Sequence, residues 1–179
     1  FLFAKVVGHL TDSQTVRLSY QKRTDDGERP FRPQWPVLSW NPLAPLELER
    51  ETVTFNYELN PIDNPYLDLG ITVYNIESEL KRTGERDPYM GTGESKGLDL
   101  RNTSIFGMHK VTYGVDYRED ETYAGPPSDE RALKENVKVK GVYIQDDIQI
   151  TDALLLSAGL RYDDYELNDA DNQKFEEDE

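Results

Sequence analysis

Cysteine is absent from the 179 residues, which excludes disulfides, thiolate metal sites and a cysteine nucleophile together. Cations are scarce: Lys and Arg total 20 against 35 Asp and Glu, a net charge of −15. Phosphate backbones select for clustered Lys and Arg, so nucleic acid is not an expected partner. Attraction to an anionic membrane surface is disfavoured for the same reason. No apolar run approaches the ~18 residues that a membrane-crossing helix needs. No signal peptide opens the chain; Phe1 starts in a strand-like stretch, as expected of a mature or partial chain. Only 36% of residues are hydrophobic and the mean hydropathy is −0.75, too polar for an ordinary core.

What is present is aromatic and periodic. Eleven Tyr, six Phe and two Trp argue against disorder, which is poor in aromatic and β-branched residues. Residues alternate with period two. Over 52–59, Val53, Phe55, Tyr57 and Leu59 share one face and Thr52, Thr54, Asn56 and Glu58 the other. The same pattern runs over 67–74, 110–118 and 154–163. A helical period would scramble these faces, so the segments are strands. Weaker strands are expected at 1–8, 15–23, 96–106 and 137–150. The segment 96–106 starts with Leu98 and Leu100 outward and turns polar at Asn102 and Ser104. In 137–150 the phase changes from Val137 and Val139 to Val142, Ile144, Ile148 and Ile150, and a bulge near Lys140 and Gly141 is expected to reconcile the two.

The joins alternate in length. Short ones fall at 11–14, 60–65, 107–109 and 151–153; long ones at 24–48, 82–95 and 120–135, with a fourth after Leu167. Short turns on one side and long loops on the other is the layout of outer-membrane barrels, with periplasmic turns and extracellular loops. A strand crosses a membrane in ~9–11 residues, half of them apolar, which hydropathy averages overlook. Tyr20, Tyr57, Tyr66, Tyr117 and Tyr162 near segment ends suit a membrane-boundary girdle, although strand propensity alone also favours Tyr. The expected fold class is therefore all-β: an antiparallel transmembrane β-barrel segment of about eight strands.

Residues 141–166 resemble the paired-strand motif of TonB-dependent outer-membrane receptors through Tyr143, Gln145 and Asp146, then Gly159, Leu160, Arg161, Tyr162 and Asp163. The hairpin 97–121 resembles the haem/haemoglobin branch of that family through residues 99–104 and 109–120, and the opening residues resemble another hairpin of those barrels. The resemblance implies a barrel of roughly 22 strands around an N-terminal plug. The chain departs from that pattern. It contains no plug, no contact segment for the energising inner-membrane protein and no aromatic-ended final strand. The branch's Phe-Arg-Ala-Pro and Asn-Pro-x-Leu boxes are not present as such; Phe31, Arg32 and Pro33 only echo the first. Residues 1–179 are thus expected to be one partial β-barrel domain of a longer chain. The implied function is active uptake of an iron-bearing ligand, haem or a ferric siderophore, across the bacterial outer membrane. The implied partners are outer-membrane lipid and lipopolysaccharide, the TonB complex through the plug, and haem, a haemoprotein or a siderophore.

No enzyme is expected. Glu119–Glu121 and the Asp pairs 25–26, 146–147 and 163–164 allow glycosidase-like acid/base work in principle, but so many carboxylates single none out. Ca²⁺ held by Asp-rich loops is an expectation without named ligands. For ligand binding the candidates are Phe31, Trp35 and Trp40 in a loop stiffened by five prolines, and Arg82, Arg86 and Tyr89 in the next loop. Exposed Trp residues anchor partners and a stiff loop costs less to order, while the same rings can simply pack their own loop. Arg can meet a propionate or a siderophore carboxylate, or merely offset local acid. Tyr89 and Tyr123 are possible haem-iron ligands. His9 and His109 lie beside short turns and are expected to be rim residues. Lys110, Asp116, Arg118 and Arg161 face a polar lumen. Two alternatives remain open from the residues: a complete small eight-stranded outer-membrane protein, and a soluble β-sandwich or lipocalin-like binder whose outward residues form a core.

Overall fold

A computed structural model describes residues 1–30, 32, 34–83, 88–126, 133–169 and 176–178, with backbone alone at 133, 169 and 176–178. The strands are β1 (Leu2–Thr11), β2 (Gln14–Pro30), β3 (Leu43–Leu59), β4 (Asp68–Arg82), β5 (Tyr89–Phe106), β6 (His109–Gly125), β7 (Leu133–Thr151), β8 (Leu154–Asp169) and a short β9 (Glu176–Asp178). Each pairs antiparallel with its neighbours in sequence, giving one sheet in the order β1 to β9. The sheet is open, with β1 at one edge and β9 at the other. Closure of eight strands on themselves, as a complete small barrel requires, is not formed.

Within the apolar band, the register aligns the alternating apolar residues of β2 to β8 on one face. One row across the sheet reads Val16, Tyr57, Ile71, Leu100, Val115, Val142 and Tyr162. No second layer covers it. Val139, at 7% exposure, is the one buried hydrophobic side chain among the described residues, whereas Val6, Tyr162 and Leu160 are 69%, 70% and 79% exposed. A soluble sandwich buries this face against a second sheet; a barrel wall gives it to lipid. The opposite face is polar and paired across strands. Arg17 meets Glu58, Thr72 donates to Asn56 (3.0 Å), and Thr103 and Thr112 share a hydrogen bond (3.0 Å).

The apolar band steps along the ladder. On β2 and β3 its upper members are Tyr20 and Val53, but the hydrogen-bonded row through them ends on β7 and β8 at Lys138 and Glu166. On β8 the upper member is Tyr162, two outward positions lower than Glu166. Tilted strands produce this stagger, because rows of hydrogen bonds then climb relative to the membrane plane.

The turns explain themselves locally. Thr11-Asp-Ser and Thr151-Asp-Ala each place a Thr hydroxyl as acceptor for the N–H two residues on, at 3.3 Å in both. Gly107 adopts φ 61°, which lets β5 return as β6 through two residues. The β3–β4 turn is longer and folds over the outward face. Ser104 Oγ and Asn102 Nδ2 donate to Tyr66 O at 2.7 and 3.0 Å, and Tyr66 stacks on Phe106 with centroids 5.0 Å apart. This is why 96–106 turns polar at Asn102 and Ser104: the turn covers them, leaving Ser104 only 2% exposed.

Two expectations are corrected. No bulge occurs near Lys140 and Gly141; β7 pairs without interruption from Glu135 to Ile148, and its register shifts only between Gln149 and Thr151. Val137 and Val139 lie on the inward face beside Leu167 and Tyr165, while Val142 and Ile144 lie outward. Both faces are apolar at different heights, so no reversal is needed. The long loops are also shorter than expected, because the strands continue past the apolar band. Of 24–48 only residues 31–42 join β2 to β3, and of 82–95 only 83–88 join β4 to β5.

Candidate functional site

The ends of β2 to β6 opposite the short turns carry the candidate ligand residues. Between β2 and β3, Asn41 is fully buried and fixes the connection. It accepts from Arg32 N (2.7 Å) and donates Nδ2 to Arg32 O, Trp35 O and Pro36 O (3.2, 3.2 and 3.0 Å). The backbones of Leu38 and Asn41 also exchange two hydrogen bonds, at 3.3 and 2.9 Å. Trp35 and Trp40 meet edge to face with centroids 5.9 Å apart, yet each stays about half exposed, with Val37 and Leu38 alongside. The pair therefore packs within its own loop and still offers apolar surface. The packing of the rings within their own loop is seen directly, and Asn41, the residue that organises the loop, was not singled out in the sequence. Phe31 lies outside the described residues.

On the adjacent hairpin, Arg82 ends β4 and Tyr89 begins β5; both are strand residues rather than loop residues because the β4–β5 ladder runs to its tip. They are direct register partners, and the Arg82 guanidinium lies over the Tyr89 ring at 5.2 Å. Arg86 lies outside the described residues. By strand parity Arg82 and Tyr89 face inward. One row below them, Leu48, Leu80, Gly91 and Ala124 form an inward strip of apolar and small residues, with Leu46 directly beside Arg82. This leucine strip was missed in the sequence, because 24–48 was read as loop and its alternation was not followed.

Tyr123 faces the opposite way from Tyr89 and donates its hydroxyl to Pro126 O (3.1 Å). The two tyrosines cannot converge on one iron. His9 bonds Thr15 Oγ1 (3.2 Å) beside the first turn, as a rim residue does. His109 Nδ1 lies 2.7 Å from Asp146 Oδ2 beside the third turn, on the outward face. No cluster of three or more His, Cys, Asp or Glu able to hold a metal occurs among the described residues, so no Ca²⁺ ligand set can be named there.

Lower on the inward face lies a polar network. Arg161 binds Asp116 through both terminal nitrogens (2.8 and 2.9 Å) and Asp163 through Nε (2.8 Å), and it covers the Tyr143 ring at 5.7 Å. Tyr143 in turn donates to Asp99 (3.3 Å). Glycines make room for these flat side chains. A Cβ on Gly141 would lie 2.3 Å from Arg161 Nη2, and one on Gly114 would lie 2.6 Å from both Leu100 O and Tyr143 Oη. Of the expected lumen charges, Asp116 and Arg161 thus pair with each other, and Arg118 pairs with Asp120 (2.9 Å).

Known proteins match this architecture. The family model "TonB dependent receptor-like, beta-barrel" covers residues 4–178. Heme/hemopexin utilization protein C of Haemophilus influenzae strain 86-028NP is 33% identical over 136 residues, covering 69% of this chain and 19% of that protein. The corresponding protein of strain KW20/Rd is 33% identical, with 18% of its length covered. Among solved structures, Serratia marcescens hemophore receptor HasR, as a double mutant in complex with its hemophore HasA and heme, shares the fold at a TM-score of 0.70 and 21% identity, over 92% of this chain and 24% of that one. The chain spans about a fifth of the length of the curated relatives it matches. With its eight long antiparallel strands, its outward apolar band and a family match across nearly all of its length, this chain belongs to the TonB dependent receptor-like β-barrel family.

Proposed function

We propose that residues 1–179 form one arc of a bacterial outer-membrane receptor that imports an iron-bearing ligand, haem, with energy from the TonB complex. The observation that carries the reading is the inward strip at the mouth, Leu48 and Leu80 beneath the Arg82–Tyr89 pair with Leu46 beside Arg82. A porphyrin face is flat and apolar, and its propionates need a cation at one edge; a leucine strip ending in a guanidinium has that form. Above it, Trp35 and Trp40 form an exposed, preordered anchor for a haem-bearing protein. The relatives named for heme and hemopexin use, and the HasR complex with its hemophore, support the same ligand class. A ferric siderophore is the second cargo class.

The open sheet supports the partial-barrel reading, since β1 and β8 need further strands to close a wall. Lipid and lipopolysaccharide then surround the outward face, a plug fills the lumen against the Arg161 network, and the protein moves its ligand without bond-making chemistry.

Haemin titration of the full-length receptor tests this. A Soret shift that saturates is expected, weakened about tenfold in Arg82→Ala through loss of the propionate contact. No Soret shift at saturating haemin would remove haem as the cargo.

A further inference from the structure

The two faces of the strand ends carry opposite charge. Over 23–30, 43–50 and 77–82 the outward side chains include Glu47, Glu49, Glu77 and Glu79, and Lys81 is their only cation. The inward side chains of the same stretches include four arginines, Arg23, Arg29, Arg50 and Arg82, and one carboxylate, Asp25. Arg29 folds back over Gly27 and reaches Asp25 at 3.5 Å. A chain of net charge −15 thus turns a basic patch toward the lumen at this height.

Arg23 and Arg50 are direct register partners, the one rung in the described ladders that sets cation against cation. Both are exposed, and neither side chain has an ion-pair or hydrogen-bond partner among the described residues. Elsewhere on the inward face Arg17 meets Glu58, Arg118 meets Asp120 and Arg161 meets Asp116, while Arg101 shares its row with Glu58. Like charges directly opposed weaken a sheet, so this rung costs stability unless an anion sits on it. The neighbouring inward carboxylates do not supply one. Asp25 is held by Arg29 and Asp120 by Arg118, and Glu135 stands in the same row four strands away, about 19 Å along the wall. Ser78 and Gly93 continue the row, and a Cβ on Gly93 would meet nothing within 4 Å, so the wall beside the pair is open.

We propose that Arg23 and Arg50 form a second station for the propionates of haem, deeper in the lumen than Arg82. The proposal rests on haem as the cargo. Leu46, beside Arg82, and Arg50 are four residues apart on β3, about 13 Å. The rung between them is Leu48 with Leu80, so the porphyrin keeps an apolar wall while its acidic edge passes from one station to the next. Haem carries two carboxylates on one edge. Two guanidiniums on adjacent strands can each take one of them in a two-pronged contact, which Arg82 alone cannot do for both.

Soret titrations of the full-length receptor with haemin and with haemin dimethyl ester, which lacks the carboxylates, test this. Arg82→Ala is expected to keep a preference of about tenfold for haemin over the ester, the scale of one charge-assisted contact. Adding Arg23→Gln and Arg50→Gln to it abolishes that preference. Arg23→Gln alone relieves the like-charge rung and does not lower the temperature of heat-modifiable migration, which also establishes that each variant is folded. Wild type that gives no Soret shift with haemin overturns the cargo and this inference together. A wild-type shift whose preference is already lost in Arg82→Ala, or survives in the triple variant, overturns the second station alone. A lowered migration temperature with an unchanged preference assigns the pair to a carboxylate of the receptor itself and likewise overturns it.

Discussion

Asn41→Ala removes the residue that holds the Trp loop together. Four side-chain hydrogen bonds disappear, all between groups that are at least partly buried. At ~0.5–1.5 kcal/mol net each, the set is worth about 2–4 kcal/mol once the freed backbone groups are allowed to find water. The loss is local, because Asn41 touches none of the rungs between β2 and β3, so the barrel's unfolding is unchanged. On the proposed function, binding of a haem-bearing protein must then reorder the loop, and even 2 kcal/mol of that cost weakens affinity about thirtyfold. Limited chymotrypsin digestion reads the local effect directly: cleavage after Leu38 and Trp40 is expected in the variant and not in wild type. Surface-immobilised receptor reads the second effect as a faster dissociation rate. Resistance to chymotrypsin together with unchanged affinity would refute the account of this loop as a preordered anchor.

Gly114→Ala places a Cβ against the Leu100 carbonyl, which cannot rotate away, and is expected to cost about 1–3 kcal/mol; Gly93→Ala, with nothing within 4 Å, is the neutral control, both read from the temperature of heat-modifiable migration. Ser104→Val deletes the 2.7 Å bond to Tyr66 O and is expected to raise amide exchange in the β3–β4 turn while β6 stays protected. The strand ends beyond the apolar band are also pH-dependent. The Lys22 ammonium is held above its ordinary value by Glu49 and Glu51, so its contribution is complete below about pH 10.4 and fades above it. The Glu51 carboxyl is held below its ordinary value by Lys22, and that of Glu119 by Asn136 and Tyr117, so their contributions are complete above about pH 4.3 and fade as the pH falls. Amide protection at these strand ends is therefore expected to be flat from about pH 5 to pH 9 and to fall on both sides; protection that rose on acidification would contradict it.

Much of the wall was legible in the sequence because its two faces meet different solvents. Lipid on one side and a polar lumen on the other impose strict alternation, and Val53–Leu59 or Val111–Tyr117 shows it without help from any other strand. The lower part of β5 was harder, since Asn102 and Ser104 are polar on the lipid side only because the β3–β4 turn comes back to cover them. The two-phase pattern of β7 misled for a related reason: Val139 is apolar and inward next to Tyr165, a contact set by register with β8. Strand ends were lost where the outward face turns acidic and only isolated leucines mark the inward one, as in Glu47–Glu51 and Glu77–Lys81. Little that is local marks those residues as strand, and the partner ladders decide it. The same loss hid Leu46, Leu48 and Leu80, whereas Trp35 and Trp40 stood out because exposed indoles are rare in any context.

The overshoot of the strands determines what the Trp loop can reach. The β2–β3 ladder continues ten residues past Tyr20, to Pro30 paired with Leu43, about 33 Å along the strand. The loop is therefore carried on a paired ribbon rather than a flexible connection, and its height and facing are fixed by rung count. Above Leu46, which pairs with Arg82, the last bond to the next hairpin runs from Thr83 N to Pro45 O (3.0 Å), so the two rungs beyond Pro45 can be removed without disturbing it. Deleting Arg29 and Pro30 with their partners Ala44 and Leu43 lowers the loop by about 7 Å and keeps its facing, because side chains repeat every two residues. Deleting only Arg29 and Ala44 lowers it half as far but turns it toward the opposite face. If the Trp pair is the anchor for a haem-bearing protein, the four-residue deletion must bind that protein better than the two-residue deletion, although it removes more of the chain. The reverse ranking would mean that height above the membrane, and not the facing of Trp35 and Trp40, governs capture.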